Sequence, residues 1–200
     1  MIKKILLISA ALIFAFGVLG ASVIRTSAST ASKNYKVTPL ESTSAGKTAT
    51  GTAIQKVDYF LAYPGILPGH FLYPLKMIRD RITLFFTIDP LRQIDVLLLF
   101  ADKRIGAAKA LMEKGKANLA ITTATKAEKY LERAVNQERV AREGGKDTSG
   151  QQDKLLKATF KHEEVLLEIE ANIGEASSEI KNILKYPQWA REKVLQASKK

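Results

Sequence analysis

Helical periodicity of apolar side chains is the feature that most constrains how this chain can fold. From residue 75 to residue 183, apolar residues recur every three or four positions, the spacing that places them on one face of an α-helix. Short segments rich in glycine or proline divide this region, and no segment reads as a β-strand. The sequence therefore predicts an all-α fold: a bundle of four long helices plus a short C-terminal helix.

Particular residues mark where the predicted helices begin and end. Pro74 suits the first turn of the first helix, and Asp89 followed by Pro90 gives the second helix an N-cap and a first residue. Gly115 is predicted to stop the second helix, and Pro187 the fourth. The predicted spans of the later helices are residues 90–114, 117–142, 151–185 and 188–197.

A loop rich in proline and glycine, residues 63–74, precedes the first helix. Its two Pro-Gly pairs favour turns, and four apolar residues lie between and after them. This much apolar surface predicts that the loop folds onto the core. We expect Leu67, Leu72 and Leu75 to be buried, closing one end of the bundle against the second helix around residues 97–100. The first helix should bury one apolar face, made of Leu75, Ile78, Ile82, Phe85 and Phe86, and expose Lys76, Arg79, Asp80 and Arg81.

The same region is similar to a known family. The strings PGILP and LYPLK, followed by IRDRI, TIDP and LLLFADKRI, resemble the bacterial DUF5667 family, a domain of unknown function, over about residues 63–111. The resemblance implies an extracytoplasmic helical domain and brings no known catalytic residues. The family usually carries an acidic residue shortly after the arginine of FADKR, where this chain has Gly106-Ala107-Ala108.

The charge balance is basic, with 31 lysines and arginines against 20 acids and a formal net charge of +11. Such an excess favours anionic surfaces, but acids are interspersed with the basic residues along the helices, as on a solvated bundle surface. The chain contains no cysteine. This excludes disulfides, thiolate metal sites, cysteine nucleophiles and a lipid-modified N-terminal cysteine.

The N-terminal region predicts export. An uncharged apolar run, Ile5–Ile24, follows two lysines and is long enough to span a bilayer as a helix. We predict that residues 1–25 are a signal-anchor, or a signal peptide cleaved after residue 20 or 28. Residues 26–56 read as a flexible tether and residues 57–200 as the helical-bundle domain. The expected location is the cell membrane, with the C-terminal domain extracytoplasmic; the alternative is secretion after cleavage.

The two histidines do not match known metal motifs. His162 lies on the fourth helix, but Leu166 stands where a zinc-protease helix needs a second histidine. Thr159 stands where a di-iron helix needs a glutamate. We therefore predict no metal or cofactor, and expect His162 to be partly exposed and paired with a nearby carboxylate.

Acidic residues crowd the fourth helix, and paired carboxylates can perform acid–base chemistry. The third helix is basic on the facing side, so interhelical ion pairs are the favoured interpretation. The acids are Glu163, Glu164, Glu168, Glu170, Glu175 and Glu179, and the expected partners are Lys126, Lys129, Arg133 and Arg139.

Aromatic residues concentrate around the proline-rich loop, a composition found at binding surfaces. The candidate contact surface consists of Tyr63, Pro64, His70, Phe71, Tyr73 and Lys76. A basic stripe is also possible, formed by Lys76, Arg79, Arg81, Arg92, Lys103 and Arg104. No nucleic-acid recognition motif accompanies it, and an exported protein has little access to nucleic acid, so an anionic envelope polymer or another envelope protein is the expected partner.

These observations favour a non-enzymatic, envelope-associated interaction or scaffolding module. A sensor or regulatory ectodomain is the alternative, and its signal would have to cross the single predicted span. A hydrolase acting on envelope polymers is the third hypothesis, and it requires carboxylates that converge in a cleft.

Overall fold

The computed structural model describes residues 58–173 and 177–199, all within a compact unit that spans Gly51–Lys200. Over these ranges the chain is all-α, with no strand, which confirms the predicted fold class. The five helices are α1 (Tyr73–Phe86), α2 (Pro90–Glu113), α3 (Ala117–Glu143), α4 (Ser149–Ile173) and α5 (Ser177–Ala197). The predicted signal-anchor and tether, residues 1–56, lie outside the described residues. Within the described part, no helix is both long and apolar enough to cross a membrane.

The predicted starts of the first three helices are confirmed. Asp89 caps α2, because its side chain accepts a hydrogen bond from the backbone N–H of Arg92 at 3.0 Å. Gly115 ends α2 with a positive φ of 69°, a conformation that glycine adopts without strain. Both ends of α3 fall within a residue of the predicted span.

The C-terminal third of the fold differs from the prediction. The fourth helix ends at Ile173 and does not reach Lys185, and the fifth is a long helix that continues through Pro187. Proline removes one backbone hydrogen bond from a helix interior, so its presence predicted a break. However, Ile183 before it and Ala190 after it are both buried, so packing on each side holds the helix continuous.

The core consists of two apolar clusters on either side of a polar layer. The first joins α2, α3, α4 and α5 through Ile94, Leu97, Leu98, Ala101, Leu131, Ala134, Val135, Leu155, Ala158, Ala190 and Val194. The second joins the same helices through Ile105, Ala108, Ile121, Ala124, Ala127, Val165, Leu166, Ile169, Ile180 and Ile183. The alanine-rich face of α3 is buried, as predicted, and lets α2 approach closely.

Helix α1 lies at the edge of this core, packing mainly against α2, and its Leu84 packs against the first cluster. Its inward face is formed by Tyr73, Met77, Asp80 and Leu84. Asp80 is the buried residue of the helix, whereas the apolar residues expected to be buried face outward. The predicted orientation of this helix is therefore wrong, because a polar pairing, described below, determines which face meets the bundle.

Candidate functional site

The proline-rich loop is held by backbone and side-chain hydrogen bonds. Lys76 donates from Nζ to the carbonyl oxygens of Pro64 at 2.6 Å and Ile66 at 3.1 Å. Gly65 and Gly69 adopt positive φ values of 65° and 92°, which the turns require. Lys76 was predicted to be part of a contact surface, but its amine is used to fasten the loop.

The loop lies at a different place on the bundle than predicted. It lines a cavity of about 480 Å³ together with Leu111, Lys114 and Lys116, at the turn between α2 and α3. Its expected neighbours were residues 97–100, which are nearer the other end of α2. Leu67 is half-buried, whereas Leu72 is exposed. The prediction that Leu72 and Leu75 are buried is wrong.

The predicted contact residues divide between those that the solvent reaches and those that hold the loop. Tyr63, His70 and Phe71 are exposed, and the rings of His70 and Phe71 stack with centroids 4.7 Å apart. Pro64 and Tyr73 are half-buried. The structure thus leaves three of the six residues free to contact a partner.

An apolar surface on α1 continues from the exposed part of the loop. We call it the outward face, and it consists of Phe71, Leu75, Ile78, Ile82, Phe85 and Phe86. Phe71 and Phe85 are 82% and 81% exposed, and Ile82, near the middle of the face, is still 46% exposed. Apolar surface this extensive on one helix is unusual for a soluble monomer and typically marks an interaction site.

A buried ion pair fixes the orientation of α1. The carboxylate of Asp80 lies 3.7 Å from the guanidinium of Arg104 on α2, and both side chains are almost fully buried. Arg104 also donates to the carbonyl of Phe100 at 3.1 Å and stacks on the ring of Tyr130, 4.1 Å from its centroid. Turning α1 over would carry Asp80 away and cover the buried charge of Arg104 with apolar side chains, so the polar face stays inward.

The same contacts show that two residues of the predicted basic stripe do not belong to a continuous basic surface. Arg104 points into the protein and Lys76 is bound to the loop, so neither contributes charge to a continuous surface. Arg79 and Arg81 remain exposed, on the edges of the outward face.

A buried polar layer separates the two core clusters. His162 of α4 is fully buried, with Nδ1 2.8 Å from Glu128 Oε1 of α3 and Nε2 3.1 Å from Asp102 Oδ1 of α2. Tyr59 donates its hydroxyl proton to Asp102 Oδ2 at 2.7 Å. The layer therefore connects three helices to the segment that precedes the loop.

The two carboxylates keep His162 protonated. Burial alone would lower its pKa, but the charge of Glu128 and the hydrogen bonds that the imidazolium donates to both carboxylates raise the pKa to about 9. Burial and Asp102 together raise the pKa of the Tyr59 hydroxyl. The expected pairing of His162 with a carboxylate is confirmed, and the expected partial exposure is wrong, because the histidine lies in the interior stripe of α4.

Sequence reasoning missed Asp102 and Glu128, although a signal was present. Each lies four residues after one buried apolar residue and three before another, which places it on the inward stripe of its helix. Polar residues at stripe positions of three neighbouring helices indicate a shared buried network. The carboxylates contact opposite nitrogens of the imidazole and so do not converge on one point. No group of three or more ligating side chains suited to a metal ion occurs in residues 58–173 and 177–199.

The predicted ion pairs between α4 and α3 are wrong for Glu163 and Glu168, and Glu164 pairs with a lysine of its own helix. The ion pairs form instead with the helices that pack more extensively on α4, or within α4 itself. The pairs are Glu163 with Arg191 of α5, Glu164 with Lys161 of α4, and Glu168 with Lys109 of α2.

A second cavity, of about 620 Å³, lies between the C-terminal halves of α3 and α5. Trp189, Arg142 and Lys193 are among its lining residues. Arg142 already pairs with the buried carboxylate of Glu138, which also accepts hydrogen bonds from Thr148 and Gln152. These bonds fasten the turn between α3 and α4.

Backbone of a neighbouring segment packs beside the position at which the family usually carries an acidic residue. A Cβ at Gly106 would lie 3.8 Å from the carbonyl oxygen of Ala62 and 3.9 Å from Pro64 Cδ. Ala107 and Ala108 are buried. A side chain at Gly106 would therefore be in van der Waals contact with the segment that leads into the loop.

Comparison with family models extends the resemblance seen in the sequence. Residues 65–176 match the family described as Domain of unknown function (DUF5667), which is more than half of the chain. The match therefore includes the loop and α1 to α4. No curated protein and no solved structure matches the chain.

Proposed function

This chain belongs to the DUF5667 family, and we propose that it is a non-enzymatic interaction module of the cell envelope. Its docking surface is the outward face of α1 together with the exposed part of the adjoining loop. One observation carries the proposal: five large apolar side chains of α1, together with Phe71 just before it, face solvent, while the opposite face of the helix is fixed to the bundle.

Fixation of α1 supports a docking role for the outward face. An amphipathic helix normally turns its apolar side to the core, since burying a large apolar side chain contributes about 2 kcal/mol. Here Asp80 and Arg104 hold the polar side inward instead. The apolar side chains therefore cannot be buried within the described bundle. A partner that covers them would gain the free energy of burying their surface.

The surroundings of the titratable residues favour binding over catalysis. His162 has both ring nitrogens occupied by carboxylates and no exposed surface, so a substrate has no access to it. A buried network of this kind holds helices in register. The large side chains exposed on the outward face, at its edges and on the adjoining loop are aromatic, apolar or basic.

Site-specific photo-crosslinking tests the docking role. A benzophenone amino acid would replace Ile82 in the full chain, and Asp153, an exposed residue of α4, would serve as the matched control. Irradiation of intact cells should give adducts at position 82 that are absent at position 153, with the bound species identified by mass spectrometry. Equal adduct formation at the two positions would show that the outward face is ordinary solvated surface.

A further inference from the structure

We propose that the outward face docks on an anionic lipid surface. This inference rests on the proposed function and names the partner of the same site. Four properties of the described helix and of the sequence before it support lipid over another protein.

The first property is the shape of the apolar surface. Helix α1 has 14 residues and is therefore about 21 Å long. Phe71 lies before its first turn, and Phe85 and Phe86 lie in its last, so large aromatic side chains stand at both ends of the outward face. A helix with one apolar side and a polar opposite side lies in the plane of a membrane interface.

The second property is the sign of the exposed charge. The ionisable residues of α1 with charge at neutral pH are Lys76, Arg79, Asp80 and Arg81. Asp80, the acid of the helix, is buried between Arg104 and Arg79, whose guanidinium lies 2.9 Å from its carboxylate, whereas Arg81 is exposed at the edge of the outward face. Arginine side chains at the edges of an apolar face can reach headgroup phosphates while the apolar side chains enter the acyl boundary.

The third property is the fixed orientation of the helix. Because the Asp80–Arg104 pair and the stacking of Arg104 on Tyr130 hold the inward face, the bundle can present the outward face without unfolding α1. Docking therefore requires little rearrangement, which lowers the entropy that binding has to overcome.

The fourth property lies in the sequence before the bundle. The apolar run Ile5–Ile24 predicts a membrane anchor, and about thirty residues of polar sequence separate it from Tyr59. The tether predicted from this sequence would have a root-mean-square span of roughly 30 Å. The predicted anchor would thus keep the bilayer at a high effective concentration near the outward face. A second protein would not have this advantage.

Fluorescence quenching by lipid-borne nitroxides tests the proposal. The chain has no cysteine, so a single cysteine at position 82 can carry the fluorophore, and Asp153→Cys provides the matched control. Both full-length variants would be reconstituted in vesicles of one part phosphatidylglycerol to three parts phosphatidylethanolamine, with nitroxides at shallow depth in the acyl chains. We expect strong quenching at position 82 and little at position 153.

Each arginine near an anionic surface contributes roughly fivefold in affinity, so Arg81→Gln, which leaves both partners of Asp80 in place, should weaken docking roughly fivefold. Vesicles without phosphatidylglycerol should show a comparable loss. Equal quenching in both kinds of vesicle would overturn the anionic preference.

Quenching at position 82 no stronger than at position 153 would overturn lipid docking altogether. If photo-crosslinking at position 82 still gave protein adducts, or adducts with a second copy of the chain, the docking role would stand and the lipid partner would be wrong. If neither experiment distinguished position 82 from position 153, the proposed function would fail as well.

Discussion

Raising the pH should destabilise the folded chain through the buried polar layer. In the folded state His162 lies between Glu128 and Asp102, with a pKa of about 9, whereas its ordinary pKa is 6.5. Because the folded pKa is the higher one, the contribution of the imidazolium is fully present below pH 6.5. It decreases as the pH rises from 6.5 and is lost above the folded pKa.

The magnitude follows from the size of the pKa shift. Between the two pKa values the native state holds one proton that the unfolded state has released, so the free energy of unfolding falls by about 1.4 kcal/mol per pH unit. Over the whole interval the loss is about 3 kcal/mol, a large fraction of the stability of an ordinary domain. Tyr59 adds a further loss only at higher pH, since its raised pKa matters once an unfolded tyrosine begins to ionise.

Urea denaturation of the purified chain between pH 6 and pH 9.5 would measure this loss, with His162→Gln as the control that lacks the titrating group. The wild-type free energy of unfolding should fall across the interval, and the variant should show a much smaller slope. A His70→Gln variant leaves a single histidine, whose ring resonances would report the titration directly by NMR. A stability that is flat or rises with pH, or ring resonances that titrate near pH 6.5, would refute the account of the layer.

Three further predictions concern stability and local structure. Leu155→Ala, in the core, should lower the free energy of unfolding by about 2–5 kcal/mol, whereas Leu75→Ala on the outward face should lower it by less than about 1 kcal/mol. Equal losses in urea denaturation would contradict the orientation of α1. Arg104→Met should cost about 3 kcal/mol because it leaves the buried carboxylate of Asp80 with Arg79, a half-exposed side chain, as its remaining ion-pair partner, and a combined Asp80→Asn change should recover part of the loss. Lys76→Met should speed amide exchange in the loop without a comparable change in the bundle; unchanged loop exchange would show that its two hydrogen bonds do not hold the loop.

The helices and much of the core were predictable because local signals and packing agree there. Asp89 and Gly115 mark their helix ends by the same chemistry in the sequence and in the structure. Pro187 shows the opposite case: its local preference predicted a break, but burial on both sides outweighs it. Tertiary packing of this kind cannot be read from one segment alone.

The orientation of helix α1 was predicted wrongly for a related reason. Its apolar periodicity predicted burial, and periodicity identifies an amphipathic helix without saying what covers the apolar side. The decisive contact joins Asp80 to Arg104, which lies on the next helix, and only the fold brings the two together. The exposed aromatics of the loop were predictable from composition, whereas their continuation into the outward face was not.

The docking role of the outward face is the central claim, and the solvent accessibility of that face in intact cells tests it most directly. Ile82→Cys and Asp153→Cys would be exposed to a membrane-impermeant maleimide, first in intact cells and then as purified protein in detergent-free solution after the fold is verified. The account predicts that position 82 reacts markedly more slowly in cells than after purification, while position 153 reacts at similar rates in both. Equal rates at position 82 in the two settings would contradict the claim, because they would show that nothing covers this face in the cell.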